Sequence, residues 1–516
     1  MNNSSTAPLT WRLRCAVWDA VLRFKFKLTF DVAKLPLPSA NQRPIKPIPF
    51  QDYYKAIPIS SILNADHIPA DERYGPTLFA IKAQEWLQGV LSPMQKGLPP
   101  VSGDDQVDLQ DAFGDKYRRL FAAPRFPAEL NRDGVTDLGH FVLSSPYSCL
   151  LEKNNQGEIV WDFRALEAYQ QHPGLESLAL RVVFELDKPS RGLKAVQIER
   201  ARAITKPQDP EWPQAVRHAL SAATTKMGLV NHFTNIHLVC GNHFSVATRN
   251  MLPADHPIKR LIWPPVFGTQ YSNDLVMNLQ AGPCGDFVNS YSFTFESQCK
   301  LFEDFNASYD ITVMDPYLDW QNRGMHDLGL NAPAQENLCE LFDLMHAHVS
   351  RYVQHYYPDD KAVQEDQALQ SWLKYLDQAI PNGISAFTKD GVTRQSVARI
   401  LGAYYYVGAA LHEALGTSMW DYVSWNSKIP IRVYSSGQEV PLDVYKRYVT
   451  FNFMLSVHRA QFLDDYSYFA LDAAGEELWR QFRAESNALQ AKYDALQPTS
   501  WRMLPKIMEI GMNTGR

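Results

Sequence analysis

The residues best suited to chemistry are histidines on apolar, helix-forming segments. His232 and His237 lie five residues apart in the stretch 212–265, which also holds His243 and His256. Imidazole nitrogen binds iron, copper, nickel and zinc. In a regular α-helix two residues five apart point about 140° away from each other, whereas a π-bulge would bring them to one face, and such bulges are frequent at functional sites. The pair therefore predicts a transition-metal site, with hydrogen-bonded structural histidines as the alternative.

A further histidine, His412, follows a long apolar and aromatic run and precedes Glu413. Neighbouring residues on a helix point about 100° apart, so these two side chains are not expected to bind one ion directly. We interpret Glu413 as a hydrogen-bond acceptor behind a metal-binding histidine or as a general acid/base, with an ordinary ion pair as the alternative. The spacing differs from the HExxH motif of zinc proteases, so that class is not predicted.

Motifs between residues 232 and 471 resemble the lipoxygenase family. The segment from His232 to His237 resembles the HxxxxH motif on the family's central helix. It is followed by a matching set of residues, namely Ala247, Thr248, Leu252, Pro253, His256 and Pro257. Further similar segments are 275–287, 322–325, 349–376, 420–422 and 463–471. Because the matches are spread along the chain, they are more specific than one motif.

The resemblance implies a mainly helical catalytic domain, with a small β-sheet near the N-terminal third, around a mononuclear non-haem iron. It implies oxidation of a polyunsaturated fatty acid to a hydroperoxide, with molecular oxygen as co-substrate and a bis-allylic carbon as the reacting position. The predicted metal ligands are His232, His237 and His412. We predict an N-terminal extension over residues 1–40 and the catalytic domain over 41–516, without the lipid-binding β-sandwich of plant and animal members.

The sequence departs from the family pattern at the metal ligands. The family usually has a histidine five residues before the HxxxxH motif, where this chain has Met227, a soft ligand. The chain can be aligned with the family motif in two registers. In one register Met227 takes the first ligand position and His232 the second, and His237 is not a ligand. In the other, which fits the flanking residues less well, His232 and His237 are both ligands. Gly416 replaces the family's fourth side-chain ligand, and Arg516 replaces the terminal isoleucine whose carboxylate completes the set.

Three functions therefore stay open. The first is a divergent iron oxidoreductase, with His243, Glu413 or the C-terminal carboxylate as additional ligand candidates. The second is an enzyme of the same fold with changed chemistry, such as an oxidase or isomerase acting on a hydrophobic metabolite. The third is a metal-free lipid-binding protein. In each case the expected partner is a fatty acid or another hydrophobic small molecule.

Composition agrees with a large protein interior and excludes some partners. The 516 residues are 45% hydrophobic and 12% aromatic, and the net charge is −6. A large core or apolar channel is therefore expected, and nucleic acid is not an expected partner. Widely spaced cysteines, with neither a signal peptide nor a long uncharged apolar run, predict a cytoplasmic protein. No obligate protein partner is evident.

The chain pattern indicates which elements position these residues. Apolar spacing predicts helices over 72–92, 211–250, 334–357, 361–380, 391–426 and 442–460. Alternation predicts a strand over 177–185 paired with another over 193–200. Residues 35–60 read as an extended connector and residues 93–107 as a loop. Residues 11–31 mix aromatic and basic side chains, which favours a helix packed on the protein surface. A more specific hypothesis is that this helix makes transient contact with a membrane surface.

Overall fold

A computed structural model of the chain describes most of the segments that surround the histidines. The described residues are 35–73, 137–201, 203–283, 285–416, 419–437, 460–496 and 500–512, with Leu13, Asp104, Asp105, Pro127, Glu129 and Leu130. The predicted surface helix over 11–31, apart from Leu13, lies outside them. So do residues 74–92 of the helix predicted over 72–92, most of the predicted loop over 93–107, residues 442–459 of the helix predicted over 442–460, and the terminal Arg516. These stay predictions, as does the domain division at residue 40.

Helices form most of the described structure, so the predicted mainly helical fold is confirmed. In chain order they are α1 (Phe50–Tyr53), α2 (Ala70–Arg73), α3 (Leu138–Ser144), α4 (Trp212–Thr225), the π-helix π1 (Lys226–Gly241), α5 (Asn242–Met251), α6 (Pro257–Val266), α7 (Thr269–Leu279), α8 (Asp286–Ser290), α9 (Phe295–Ala307), α10 (Pro316–Asn322), α11 (Pro333–Tyr356), α12 (Asp360–Glu365), α13 (Gln367–Ala379), α14 (Ser385–Thr388), α15 (Arg394–Tyr406), the π-helix π2 (Val407–Leu411), α16 (His412–Leu415), α17 (Met419–Val423) and α18 (Ala473–Asp494). Short 3₁₀ turns occupy Pro146–Leu150, Arg164–Ala168, Ile311–Met314, His326–Leu328, Ser467–Phe469 and Pro505–Ile507.

The strands of the described residues form a two-stranded and a five-stranded antiparallel sheet. They are β1 (Pro47–Pro49), β2 (Leu63–Ala65), β3 (Glu152–Lys153), β4 (Ile159–Asp162), β5 (Leu180–Asp187), β6 (Gly192–Arg200) and β7 (Ala203–Thr205). The larger sheet runs in the order β3-β4-β5-β6-β7. The predicted pairing of 177–185 with 193–200 is confirmed, because β5 pairs with β6 and Val182 faces Ile198. Both of these side chains are buried, as the alternation requires.

Helix α3 lies directly on this sheet. A Cβ atom built on Gly139 would come 1.9 Å from the main-chain oxygen of Leu193 in β6. Residue 139 must therefore lack a side chain, because the helix backbone and the strand backbone are in contact at this point. Phe141 and Val142 of the same helix are fully buried, so α3 and the sheet share one apolar core.

The helical core is organised around the antiparallel neighbours α11 and α15. The ring of Phe342 in α11 lies edge-on to Tyr406 in α15, with centroids 5.7 Å apart. Tyr404 and Tyr405 are fully buried, and the Tyr405 hydroxyl donates to the carbonyl oxygen of Leu261 in α6. The aromatic residues before His412 therefore pack into the interior, as the composition led us to expect, and they hold the end of α15 in place.

The long helix predicted over 211–250 is confirmed as the continuous run α4–π1–α5. The helix predicted over 334–357 is confirmed as α11. The helix predicted over 361–380 is interrupted, because the Asp366 side chain accepts the main-chain N–H of Leu369 and begins α13. The helix predicted over 391–426 is interrupted after α16, near Gly416.

The segment before the sheet packs on these helices. Ile45 and the Asn250 side chain exchange two hydrogen bonds of 2.9 and 2.7 Å, and the Trp263 indole donates to the Pro36 carbonyl at 2.8 Å. The predicted extended connector over 35–60 does include the short elements β1 and α1. No helix among the described residues is long and apolar enough to cross a bilayer.

Candidate metal centre

The π-helix π1 brings His232 and His237 to one side of the central helix. In a π-helix the hydrogen bonds join residues five apart, so side chains at this spacing lie nearly above one another. The Thr234 hydroxyl also donates to the carbonyl oxygen of Leu229, five residues earlier, at 2.8 Å. A π-helix occupies the whole of Lys226–Gly241, which is the kind of geometry that would bring the two histidines to one face.

Three imidazole rings converge at this place. Ligand-type ring nitrogens of His232, His237 and His412 all lie within 4.8 Å of one another. The Nε2 atoms of His237 and His412 are 3.1 Å apart, and the three ring centroids are separated by 4.9 to 5.0 Å. His237 and His412 are buried and His232 is half-buried, so the cluster is more accessible on the His232 side.

The Glu413 carboxylate lies behind His412. Its Oε1 atom is 3.1 Å from Nδ1 of His412, and both side chains are buried. The carboxylate is placed to accept a hydrogen bond from Nδ1–H, which leaves the Nε2 lone pair directed toward His237. The short π-helix π2 ends immediately before His412. Glu413 is not among the converging ligand atoms, so its position is that of an acceptor for the histidine.

Residues outside the two π-helices support the cluster. The Asn273 side chain in α7 donates to the main-chain oxygen of His237 at 3.2 Å. Asn273 was not predicted from the sequence, because no local pattern marks a contact between side chain and backbone across 36 positions. Phe233 of π1 packs edge-on against Phe287 and Phe302, with centroids 4.9 and 5.0 Å apart. All three rings are buried, so this side of the helix faces an apolar core.

The geometry favours the register in which His232 and His237 are both ligand candidates. His237 lies beside His412, whereas the other register removes it from the metal position. Met227 is fully buried one π-helical turn before His232. The distinguishing observation is position, since the His237 ring centroid lies 4.9 Å from those of both His232 and His412.

Other histidines proposed from the sequence lie elsewhere. His243 is buried in α5, with its ring 6.4 Å from that of Tyr375, and burial lowers its pKa to about 4. It is not part of the converging set among the described residues. The Nε2 atom of His256 pairs with Asp366 at 2.9 Å. Among the described residues, neither His243 nor His256 therefore joins the three converging imidazole rings.

The last described residues pack against both π-helices. A Cβ atom on Gly241 would lie 2.9 Å from the sulfur of Met512, and one on Gly408 would lie 3.6 Å from Cα of Gly511. Met512 is fully buried. The chain therefore approaches its C-terminus beside the segments that hold the histidines, while Arg516 lies outside the described residues.

Comparison with known proteins identifies relatives. No protein-family model matches the chain. The polyunsaturated fatty acid lipoxygenase ALOX8 of Mus musculus is 24% identical over 206 residues, which are 39% of this chain and 30% of that protein. The hydroperoxide isomerase ALOXE3 of Rattus norvegicus is 25% identical over 201 residues, 39% of this chain and 28% of that protein. The matched part spans about a third of the length of such relatives.

Solved structures agree over a larger part of the chain. The structure of coral 8R-lipoxygenase matches with a TM-score of 0.71 at 13% identity, over 98% of this chain and 82% of that chain. A lipoxygenase in complex with arachidonate matches with a TM-score of 0.69 at 14% identity, over 91% and 79%. The resemblance to lipoxygenases is therefore confirmed at low sequence identity, and the fold is that of the lipoxygenase catalytic domain.

Proposed function

We propose that this chain, which has the lipoxygenase catalytic fold, is a metal-dependent oxidoreductase that holds one non-haem iron ion. The proposed ligands are His232, His237 and His412, the proposed co-substrate is molecular oxygen, and the proposed substrate is a fatty acid or another hydrophobic molecule. The convergence of the three imidazoles is the observation that carries the proposal. The complex of a similarly folded lipoxygenase with arachidonate supports the substrate class.

The three donors fit a transition metal in type, and the His237–His412 pair also fits in spacing. Two imidazole nitrogens that bind one ion at about 2.1 Å are separated by about 3.0 to 3.4 Å, depending on the angle between them. The His237 and His412 Nε2 atoms are 3.1 Å apart. Neutral imidazole is a ligand suited to iron. The half-buried His232 completes three of the positions such an ion requires.

The chain's own residues have distinct tasks in this proposal. Bound iron would supply the one-electron chemistry that activates a carbon–hydrogen bond. Glu413 holds the His412 imidazole in the tautomer whose Nε2 is free to bind a metal. Asn273 fixes the backbone at His237, and the rings around Phe233 exclude water from the buried side. The protein thereby orients the ligands and excludes water from the site.

A second candidate is an isomerase acting on a lipid hydroperoxide. The hydroperoxide isomerase ALOXE3 is among the relatives at an identity similar to that of the dioxygenases. The absence of a side-chain ligand at Gly416 also sets this chain apart from the family pattern. Both candidates require the same metal, and they differ in whether a fatty acid is oxidised with uptake of oxygen or a hydroperoxide is converted without it.

Metal analysis and oxygen uptake test the proposal together. Protein purified without added metal should contain iron close to one equivalent, and it should consume oxygen with linoleate. Iron without oxygen uptake, together with loss of an added linoleate hydroperoxide, would favour the isomerase. Less than about a tenth of an equivalent of any transition metal, with no uptake after iron is supplied, would contradict both enzyme proposals and favour a lipid-binding protein.

A further inference from the structure

Gly416 lies against the ring of His232. It follows α16, and its N–H donates to the His412 carbonyl oxygen at 2.8 Å. A Cβ atom built on Gly416 would come 2.5 Å from Nε2 and 2.9 Å from Cε1 of His232, and 2.9 Å from the His412 oxygen. Side-chain carbons do not approach other atoms this closely. The His232 imidazole thus occupies the volume that a side chain at residue 416 would need.

We infer that Gly416 is a positioning residue that determines the metal-ligand set of this chain: by lacking a side chain it makes room for His232 to join His237 and His412. The inference rests on the proposed metal centre. It differs from the interpretation that Gly416 only marks the loss of a ligand. A lost ligand leaves a vacancy that a new donor could fill, whereas here imidazole already fills the space.

The two interpretations predict opposite effects of an added donor. If Gly416 were a lost ligand, the carboxamide of Gly416→Asn would add an oxygen donor and strengthen metal binding. Under our inference the first side-chain carbon of Asn already collides with His232. The ring must rotate away, so one imidazole is lost from the centre when the Asn side chain enters.

The experiment is a metal titration of the metal-free protein. Co²⁺ is the probe, because its visible absorption reports ligand number, and X-ray absorption of the iron-loaded protein counts the imidazoles. We expect Gly416→Ala and Gly416→Asn each to weaken Co²⁺ binding by about tenfold or more, and to lower the imidazole count by about one, in line with the effect of displaced ligand supports.

Gly402→Ala is the matched control. A Cβ atom on Gly402 of α15 would lie 3.0 Å from the ring of His346, a histidine outside the cluster. The control therefore crowds a histidine by one methyl group without touching the proposed ligands. It should leave Co²⁺ affinity and the imidazole count at the wild-type values.

A double-mutant cycle shows whether the effect passes through His232. In a His232→Ala background the ring is gone, so adding Gly416→Ala should change Co²⁺ affinity by less than about threefold. The clash with the His412 oxygen is present in both backgrounds, so a loss of affinity caused by that clash would be equal with and without His232. If Gly416→Ala alone fails to fold, the double variant should regain the thermal midpoint of His232→Ala.

The outcomes separate the inference from the function on which it rests. Equal or tighter Co²⁺ binding by Gly416→Asn, with an unchanged imidazole count, would overturn the inference while the metal centre stands. An equal loss from Gly416→Ala with and without His232 would also overturn it. Failure of the wild-type protein to bind Co²⁺ or iron would overturn the proposed function and the inference together.

Discussion

The contact between Glu413 and His412 leads to a graded prediction for metal affinity. The carboxylate lies 3.1 Å from Nδ1 of His412 in a buried site. Removing such a partner of a metal-binding histidine costs 10- to 100-fold in affinity, or about 1.4 to 2.7 kcal/mol. Glu413→Gln keeps an acceptor oxygen and loses only the charge, so about tenfold is expected. Glu413→Leu removes the acceptor, so the loss should approach about 100-fold.

The assay is competition for Fe²⁺ or Co²⁺ between the metal-free variants and a chelator of known affinity. Asp366→Asn is the control, because it removes the charge from a similar pair in which Asp366 accepts from His256 at 2.9 Å, outside the cluster. Affinities of Glu413→Gln and Glu413→Leu within about threefold of the wild-type value would refute the reasoning. An equal loss in Asp366→Asn would assign the effect to general destabilisation.

Three further variants test neighbouring parts of the structure. His412→Ala should lose nearly all bound iron while its circular dichroism stays unchanged, and full retention of iron would mean that the site is misplaced. Met227→His should leave iron affinity within about threefold, because three imidazoles already converge; a large gain would restore the register with residue 227 as a ligand. Burial lowers the pKa of His348 to about 3, so below pH 6.5 the unfolded chain binds more protons than the folded protein and stability falls as pH falls. His348→Phe should remove this pH dependence. In urea unfolding, the variant's free energy of unfolding relative to that of the wild type should therefore be roughly 2 kcal/mol more favourable at pH 5 than at pH 7.5. The same difference at both pH values would contradict that pKa.

Local pattern was sufficient for the strand pair β5–β6 and for the central helix. The alternation around Val182 predicts a half-buried strand, and the apolar spacing of 211–250 predicts the central helix, because both signals arise within the segment itself. The five-residue separation of His232 and His237 showed only that the pair would share a face if the helix contained a π-bulge, since a regular α-helix does not place the two on one face. The interruption at Asp366 was not predicted, because apolar periodicity is unaffected by a single capping residue.

Side-chain contacts over long distances in sequence could not be predicted in the same way. Asn273 is 36 positions from His237, and nothing in either segment marks the hydrogen bond between them. The choice between the two ligand registers had the same difficulty. Alignment of the sequence with the family pattern favoured Met227 as a ligand candidate, whereas the position of the ring in π1 favours His237.

The amino-acid sequence by itself determined the donor types, the spacing of His232 and His237, and a set of motifs that resembles the lipoxygenases. Only the tertiary structure decided that His412, 175 positions away, faces His237 with Nε2 atoms 3.1 Å apart. It also decided that the His232 ring lies against Gly416, in the volume that a side chain at residue 416 would need. The physical reason is that a residue's type and local helix geometry are encoded nearby, whereas the meeting of two helices depends on the packing of the whole core.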